Sequence, residues 1–298
     1  MASNRRSSSR NRNRQRGGRN QRRPEVVVDF GQASGSLFGL EVDPAEQEAN
    51  ARAARSQVLI AGLVPGLLLG VVLALAVSWL VGLGLAVVLG GLGYAVVSAA
   101  ANRRAAGLLA GAPLLTSQRV DALLDSLSAT MGVRRPQLRV LEDQGVNAIV
   151  LVADGAPILW VTRGLVELED LLAIEGVLAQ ALASVKTGLA ELRSVEVGID
   201  LLTGGLWSKL PRPRGASAGQ RAMRADMVAA AAVRYPSGLL HALEQAQARN
   251  DGSAHASADS YEKLRGCWLD PSVGRRNLEA ELGDLDATGV RIAALAEW

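Results

Sequence analysis

Few side chains in this sequence can do chemistry, and their placing narrows the chemistry further. There are two histidines, His241 and His255, and one cysteine, Cys267. Together they could be asked to hold zinc, which at a catalytic site takes three protein ligands and a water. Their spacings of 14 and 12 residues follow no recognised ligand pattern, with His241 on an expected helix and His255 in a polar loop. They read as solvated or partly buried side chains. The run Gly215-Ala216-Ser217-Ala218-Gly219 has the form G-x-S-x-G. A nucleophilic serine in that motif needs a strand before it, a helix after it, and an acid and a histidine following in order. Here a Pro/Arg segment precedes it, so it reads as a flexible linker. The sequence holds no Gly-Lys-Ser/Thr phosphate loop and no paired-carboxylate motif, and a single cysteine excludes an internal disulfide.

A second candidate is defined by residues that cannot do chemistry where chemistry would be expected. The stretch Glu175-Gly-Val-Leu-Ala-Gln180-Ala181-Leu182-Ala183-Ser184-Val-Lys186-Thr-Gly188 resembles the segment around HExxH in the HtpX-like membrane metallopeptidases, a group that includes the CAAX prenyl proteases. Their form is roughly E-x-V-L-A-H-E-L-A-H-V-K-x-G/R. Histidines at i and i+4 face one metal from one helical turn, and the glutamate beside them takes a proton from zinc-bound water. Gln180 and Ser184 stand at the two histidine positions and Ala181 at the glutamate position.

Other pieces follow in the same order. Asn147-Ala148-Ile149-Val150 resembles the family's N-A-F-A strand, and Val161-Thr162-Arg163-Gly164-Leu165-Val166-Glu167-Leu168 its V-T-x-G-L-L-x-L. Arg221-Ala222-Met223-Arg224-Ala225-Asp226 resembles R-E-x-x-A-D, whose glutamate is the third zinc ligand; Ala222 stands there. Tyr235 to Leu243 resembles x-P-x-G-L-x-x-A-L, and Arg291-Ile-Ala-Ala-Leu295 a late R-I-x-x-L. The resemblance implies an α+β fold: a two-helix transmembrane hairpin, then a mostly helical, zincin-type domain with a small sheet. It also implies that the positions for catalysis are degenerate: Gln180, Ala181, Ser184 and Ala222. An amide, a hydroxyl and two methyl groups make no zinc site, so no metal and no cofactor is expected. In active relatives a strand edge beside the zinc helix presents substrate. Asn147, Ala148, Ile149 and Val150 are therefore the expected peptide groove, by strand addition. The expectation is an inactive, protein-binding, regulatory or structural subunit. An active zinc endopeptidase of membrane-protein quality control with unusual ligands is the alternative from the enzyme class.

The elements that position these residues can be read from pattern. Asp43-Pro44 is an N-cap with proline at the first helical position, and the helix it opens is expected to run on into a membrane span. Residues 57–77 and 81–101 are two apolar stretches of about 20 residues, enough to cross a bilayer core of about 30 Å. Ser78–Gly82 is the expected loop between them, with Trp79 at interfacial depth. Gly62, Gly66 and Gly70 recur every fourth residue and predict close helix packing in the hairpin. The periodicity then predicts a helix from Thr116 or Ser117 to Met131 and strands over Gln137–Leu141, Ala148–Val152 and Ile158–Val161, with Asp154-Gly155 as a turn. Helices follow over 168–186, 189–206, 219–233, 236–249 and 286–297. The domain reading is a disordered tail (1–24), a linker and juxtamembrane helix (25–56), the hairpin (57–101), a linker (102–116) and the peptidase-like body (117–298).

Charge is distributed unevenly. The first 23 residues hold nine arginines and no acid, while 56–102 hold no charge at all. Removing those nine from the net +3 leaves −6, which argues against a nucleic-acid-binding body. The tail has three open readings: binding to anionic lipid, binding to RNA through phosphates, or a topology signal only. A membrane structural protein recruiting lipid or RNA through this tail is the third functional alternative. Arg52, Arg55, Arg103 and Arg104 flank the hairpin, so the positive-inside bias puts both ends on the cytoplasmic face of the cell membrane. The bilayer and a membrane-protein partner or complex are the expected partners. Twenty-nine arginines against three lysines, with heavy alanine and glycine, suggest a GC-rich bacterial genome.

Overall fold

A computed structural model of the chain describes residues 42–76, 78–209, 218–233, 235, 237–250, 262–271 and 288–297. The arginine-rich tail, His255, Gly215, Ser217 and most of the polar loop at 250–260 lie outside them. The described residues all fall in one compact unit, Ser36–Trp298.

The first helix, α1 (Pro44–Ala76), is capped by Asp43, whose Oδ1 accepts from the Ala45 N–H at 2.9 Å. It runs unbroken through Pro65. The second, α2 (Trp79–Gly107), begins directly after Ser78. Both are long and apolar enough to cross a membrane. The connection is tighter than the five-residue loop expected: Trp79 to Gly82 are helical, and Trp79 is exposed. A Cβ on Gly62 would fall within 3.0 Å of the Tyr94 backbone, one on Gly66 within 3.0 Å of Gly90, and one on Gly70 within 3.0 Å of Ala86. The two backbones therefore touch along this seam, and large residues such as Leu68, Leu75, Leu83 and Val88 point outward.

The helices do not stop where the apolar run stops. The first turns of α1, where a juxtamembrane helix is expected, and the last turns of α2, within the stretch 102–116 expected to be a linker, are both docked on the body. Buried Asn50 donates through Nδ2 to the Thr187 carbonyl at 2.8 Å, and Gln57 Nε2 donates to Glu196 Oε1 at 2.8 Å. Ala101, Ala105, Ala106 and Leu109 are buried. A Cβ on Gly198 would overlap the Ala101 backbone, so α2 and α6 (Leu189–Leu202) cross at backbone contact. Charge at Arg103 and Arg104 ends the apolar stretch, but burial of the opposite alanine face keeps the helix going.

The body follows with α3 (Gln118–Met131), β1 (Gln137–Leu141), β2 (Ala148–Ala153), β3 (Ala156–Thr162), a single turn α4 (Arg163–Val166), α5 (Leu171–Lys186) and α6. Then come α7 (Ala218–Ala232), α8 (Ser237–Asn250) and α9 (Thr288–Ala296). The protein is thus mostly helical with one three-stranded sheet, ordered β1-β3-β2, parallel between β1 and β3 and antiparallel between β2 and β3. Asp154 and Gly155 take φ of 50° and 73° in the β2–β3 turn, the left-handed pair that a two-residue hairpin needs. Both faces of the sheet are covered. Val150 and Leu159 face a core shared with α3, α5, α7 and α8, while Ile149, Leu151 and Trp160 face the end of α2. Trp160 Nε1 donates to the Leu109 carbonyl at 3.0 Å. Burial on both sides explains why β2 reads as a continuous apolar run.

Two glycines test the hairpin. Gly66→Val drives methyl groups into the Gly90 backbone, and overpacking of this kind costs about 1–3 kcal/mol. Gly84 has open space around its Cα, so Gly84→Ala should be neutral. Thermal unfolding in detergent is expected to fall for the first substitution and stay unchanged for the second.

Candidate functional site

The helix that carries the candidate positions, α5, is built to be surrounded. Asp170 caps it, its Oδ1 accepting from the Leu172 and Ala173 N–H groups at 2.9 and 3.3 Å. Small residues let its neighbours approach. A Cβ on Gly176 would overlap the Leu239 backbone, and one on Gly238 would overlap the Leu172 carbonyl, so α5 and α8 interlock through a reciprocal pair of glycines. At its C-terminus Gly188 (φ 75°) turns the chain, and α6 leaves at 76° to α5. The expected start at Leu168 is three residues early, because α4 and the Asp170 cap intervene.

Gln180, Ala181 and Ser184 lie on α5, and Ala222 lies on α7, which packs against it. All four are buried, between 2% and 7% exposed. The donor set does not fit zinc: a neutral amide, one hydroxyl and no charged or imidazole ligand. Among the described residues no three His, Cys, Asp or Glu side chains gather within reach of one ion. His241 is exposed on α8, its Nδ1 3.7 Å from Asp170 Oδ2. Cys267 sits in a short 3-10 turn, Arg265–Cys267, and burial pushes its thiol up to about 12. It is therefore a neutral, shielded thiol and a poor ligand or nucleophile at neutral pH.

The structure corrects one expectation directly. The edge of β2 at Asn147, Ala148, Ile149 and Val150, expected to be a peptide groove, is occupied by the chain itself. The Leu269 N–H donates to the Ala148 carbonyl at 2.8 Å, and Ile149 forms an antiparallel bridge with Trp268. Asn147 completes the closure. Its Nδ2 donates to the Asp270 carbonyl at 2.9 Å, while its Oδ1 accepts from the Asp270 N–H at 3.1 Å. Further along, Val152 N–H donates to Ser194 Oγ at 2.8 Å. All four residues are buried. The other edge is closed too: Leu115 N–H donates to the Leu138 carbonyl and Val140 N–H to the Pro113 carbonyl.

What holds the covering segment down is a charged pair that residue types alone did not single out. Asp226 on α7 and Arg291 on α9 are both buried and meet in a two-pronged contact, Nε to Oδ2 at 2.6 Å and Nη2 to Oδ1 at 2.7 Å. The third guanidinium nitrogen, Nη1, donates to the Leu269 carbonyl. Thr288 Oγ1 adds a bond to Asp270 Oδ1 at 2.7 Å. Arg193 on α6 lies within the field of Cys267, Arg291, Glu196 and Asp226, and burial lowers its pKa from the ordinary value. Asp226 and Arg291 appear in the motif pieces above, yet their pairing across 65 residues leaves no local sign.

Compared with known proteins, the chain matches no protein-family model and no curated protein.

Two outcomes follow from this geometry. Arg291→Met strands the Asp226 carboxylate in the interior, and breaking a buried pair costs about 3–5 kcal/mol. Removing both charges, Asp226→Leu with Arg291→Met, should cost less than the sum of the singles, read as urea midpoints in detergent. Cys267 should resist maleimide at pH 8 in the folded protein and react fully once urea unfolds it.

Proposed function

We propose that this protein is a catalytically inactive relative of the HtpX-like membrane metallopeptidases. In this reading it is anchored by the α1–α2 hairpin and acts as a protein-binding, regulatory or structural subunit, with both ends on the cytoplasmic side. One observation carries the reading. The residues shared with the family pattern divide cleanly by role. Those with structural work to do are present and engaged: Asn147 with Asp270, Gly238 against α5, and Asp226 with Arg291. Thr162 also belongs here, its Oγ1 accepting from the Asn147 N–H at 2.9 Å. Those with chemical work to do are replaced by Gln180, Ala181, Ser184 and Ala222. A scaffold that has kept its packing contacts and lost its ligands would have that pattern.

The closed β2 edge alters the partner expectation. A peptide cannot add to Asn147–Val150 while Trp268–Asp270 lies there, so the strand-addition version of the role is withdrawn. The outward faces of α1 and α2, with their exposed leucines and valines, are left as the surface for a membrane-protein partner. The orientation rests on the arginines flanking the hairpin.

The test works in both directions. Purified, tag-free protein should carry far less than one zinc per chain by elemental mass spectrometry. The fourfold variant Gln180→His, Ala181→Glu, Ser184→His, Ala222→Glu restores the family's full ligand set and should take up one zinc per chain. Stoichiometric zinc in the native protein sinks the inactive reading. A folded variant that stays metal-free removes the peptidase resemblance itself.

A further inference from the structure

Where α2 leaves the apolar run it passes beside the end of α6, and a cavity of about 720 Å³ opens there. Its lining has two chemistries. Val96, Ala99 and Ala100 form an apolar flank on the side of the uncharged run, and Leu201 of α6 adds a further apolar residue. Among the described residues that line it, Arg103 and Arg104 supply the only charges and none is acidic. Residues 96, 100, 103 and 104 share one helical face, so the apolar wall and the cations belong to a single groove.

The two arginines are not equivalent. Arg103 Nε is held by Asp154 Oδ1 at 2.6 Å, at the tip of the β2–β3 hairpin. Arg104 is exposed and has no hydrogen-bond or ion-pair partner among the described residues. Depth along the helix matters as well. Trp79 to Arg104 is 25 residues, or about 38 Å of helix. With Trp79 at one interface, that rise clears a hydrocarbon core of about 30 Å and brings Arg104 to the opposite headgroup layer.

We propose that this groove holds one anionic phospholipid, its phosphate on Arg104 and the upper part of an acyl chain along Val96, Ala99 and Ala100. A free phosphate would leave the apolar flank unused. A zwitterionic lipid brings a cation of its own beside Arg104, where none of the described lining residues is acidic. The inference needs α1 and α2 in a bilayer and is independent of the peptidase reading.

The experiment is lipid retention by the full-length protein in native mass spectrometry, titrated after delipidation with phosphatidylglycerol or phosphatidylcholine of the same acyl chains. Phosphatidylglycerol should be retained over phosphatidylcholine by about fivefold, the worth of one basic residue at an anionic surface. Arg104→Gln should abolish that preference, and Leu201→Trp, which fills the groove, should lower retention without lowering the unfolding temperature. Photoreactive phosphatidylglycerol should cross-link within residues 96–108 in the wild type and lose those cross-links in Arg104→Gln. Equal retention of the two lipids overturns the proposal. So does a preference indifferent to Arg104→Gln, cross-linking confined to residues 1–24, or full displacement by glycerol 3-phosphate.

Discussion

The body of this protein is closed by one buried contact, the Asp226–Arg291 pair with the Leu269 carbonyl as its third member. A carboxylate and a guanidinium taken out of water are costly unless their geometry is matched and their remaining donors are used. Here the fork is filled: two nitrogens on the carboxylate, one on the backbone. The consequence is positional. The pair pins α9 to α7 and lays Trp268–Asp270 along β2, and Asn147 locks the far side of that segment. An apolar contact of the same size would bury as much surface without dictating which carbonyl must face which strand.

That arrangement makes the sheet self-sufficient. A three-stranded sheet with two open edges would offer unpaired N–H and C=O groups to any extended chain. Pro113–Leu115 on one side and Leu269 on the other use them up in part, and Ser194 takes the N–H of Val152. The small residues of α5 belong to the same design. Alanine and glycine leave room for α7 and α8 to approach, so the helix is walled in and Gln180, Ala181 and Ser184 are packing positions.

How much of this the residues declared depends on the range of the interaction. The strands came within two residues of their observed ends, because short apolar runs and the Asp154-Gly155 turn are local signals. The caps at Asp43 and Asp170 are also local; of these only Asp43 was recognised, the other having been absorbed into a longer helix. The run from Asn102 to Leu109 was read as linker because two arginines interrupt its hydropathy. Its alanine face is meaningful only beside Gly198, about a hundred residues on. The closure of β2 was illegible for the same reason: Asn147 and Asp270 are 123 residues apart, and Trp268–Asp270 lacks strand-like length or alternation. At the candidate site, the residue types alone gave an amide, a hydroxyl and two methyl groups. The packing around those positions required coordinates.

The unbroken passage of α2 from the apolar stretch into the body has a mechanical meaning. A 29-residue helix without proline is a rod of about 43 Å. Its last turns are clamped by Gly198 against Ala101, and the turn just after it by the Trp160 bond to Leu109. No joint separates the two halves. In a bilayer, such a rod adjusts to thickness by leaning, and everything clamped to its end must lean with it. The inclination of the whole body to the membrane plane is then a property of the surrounding lipid as much as of the protein.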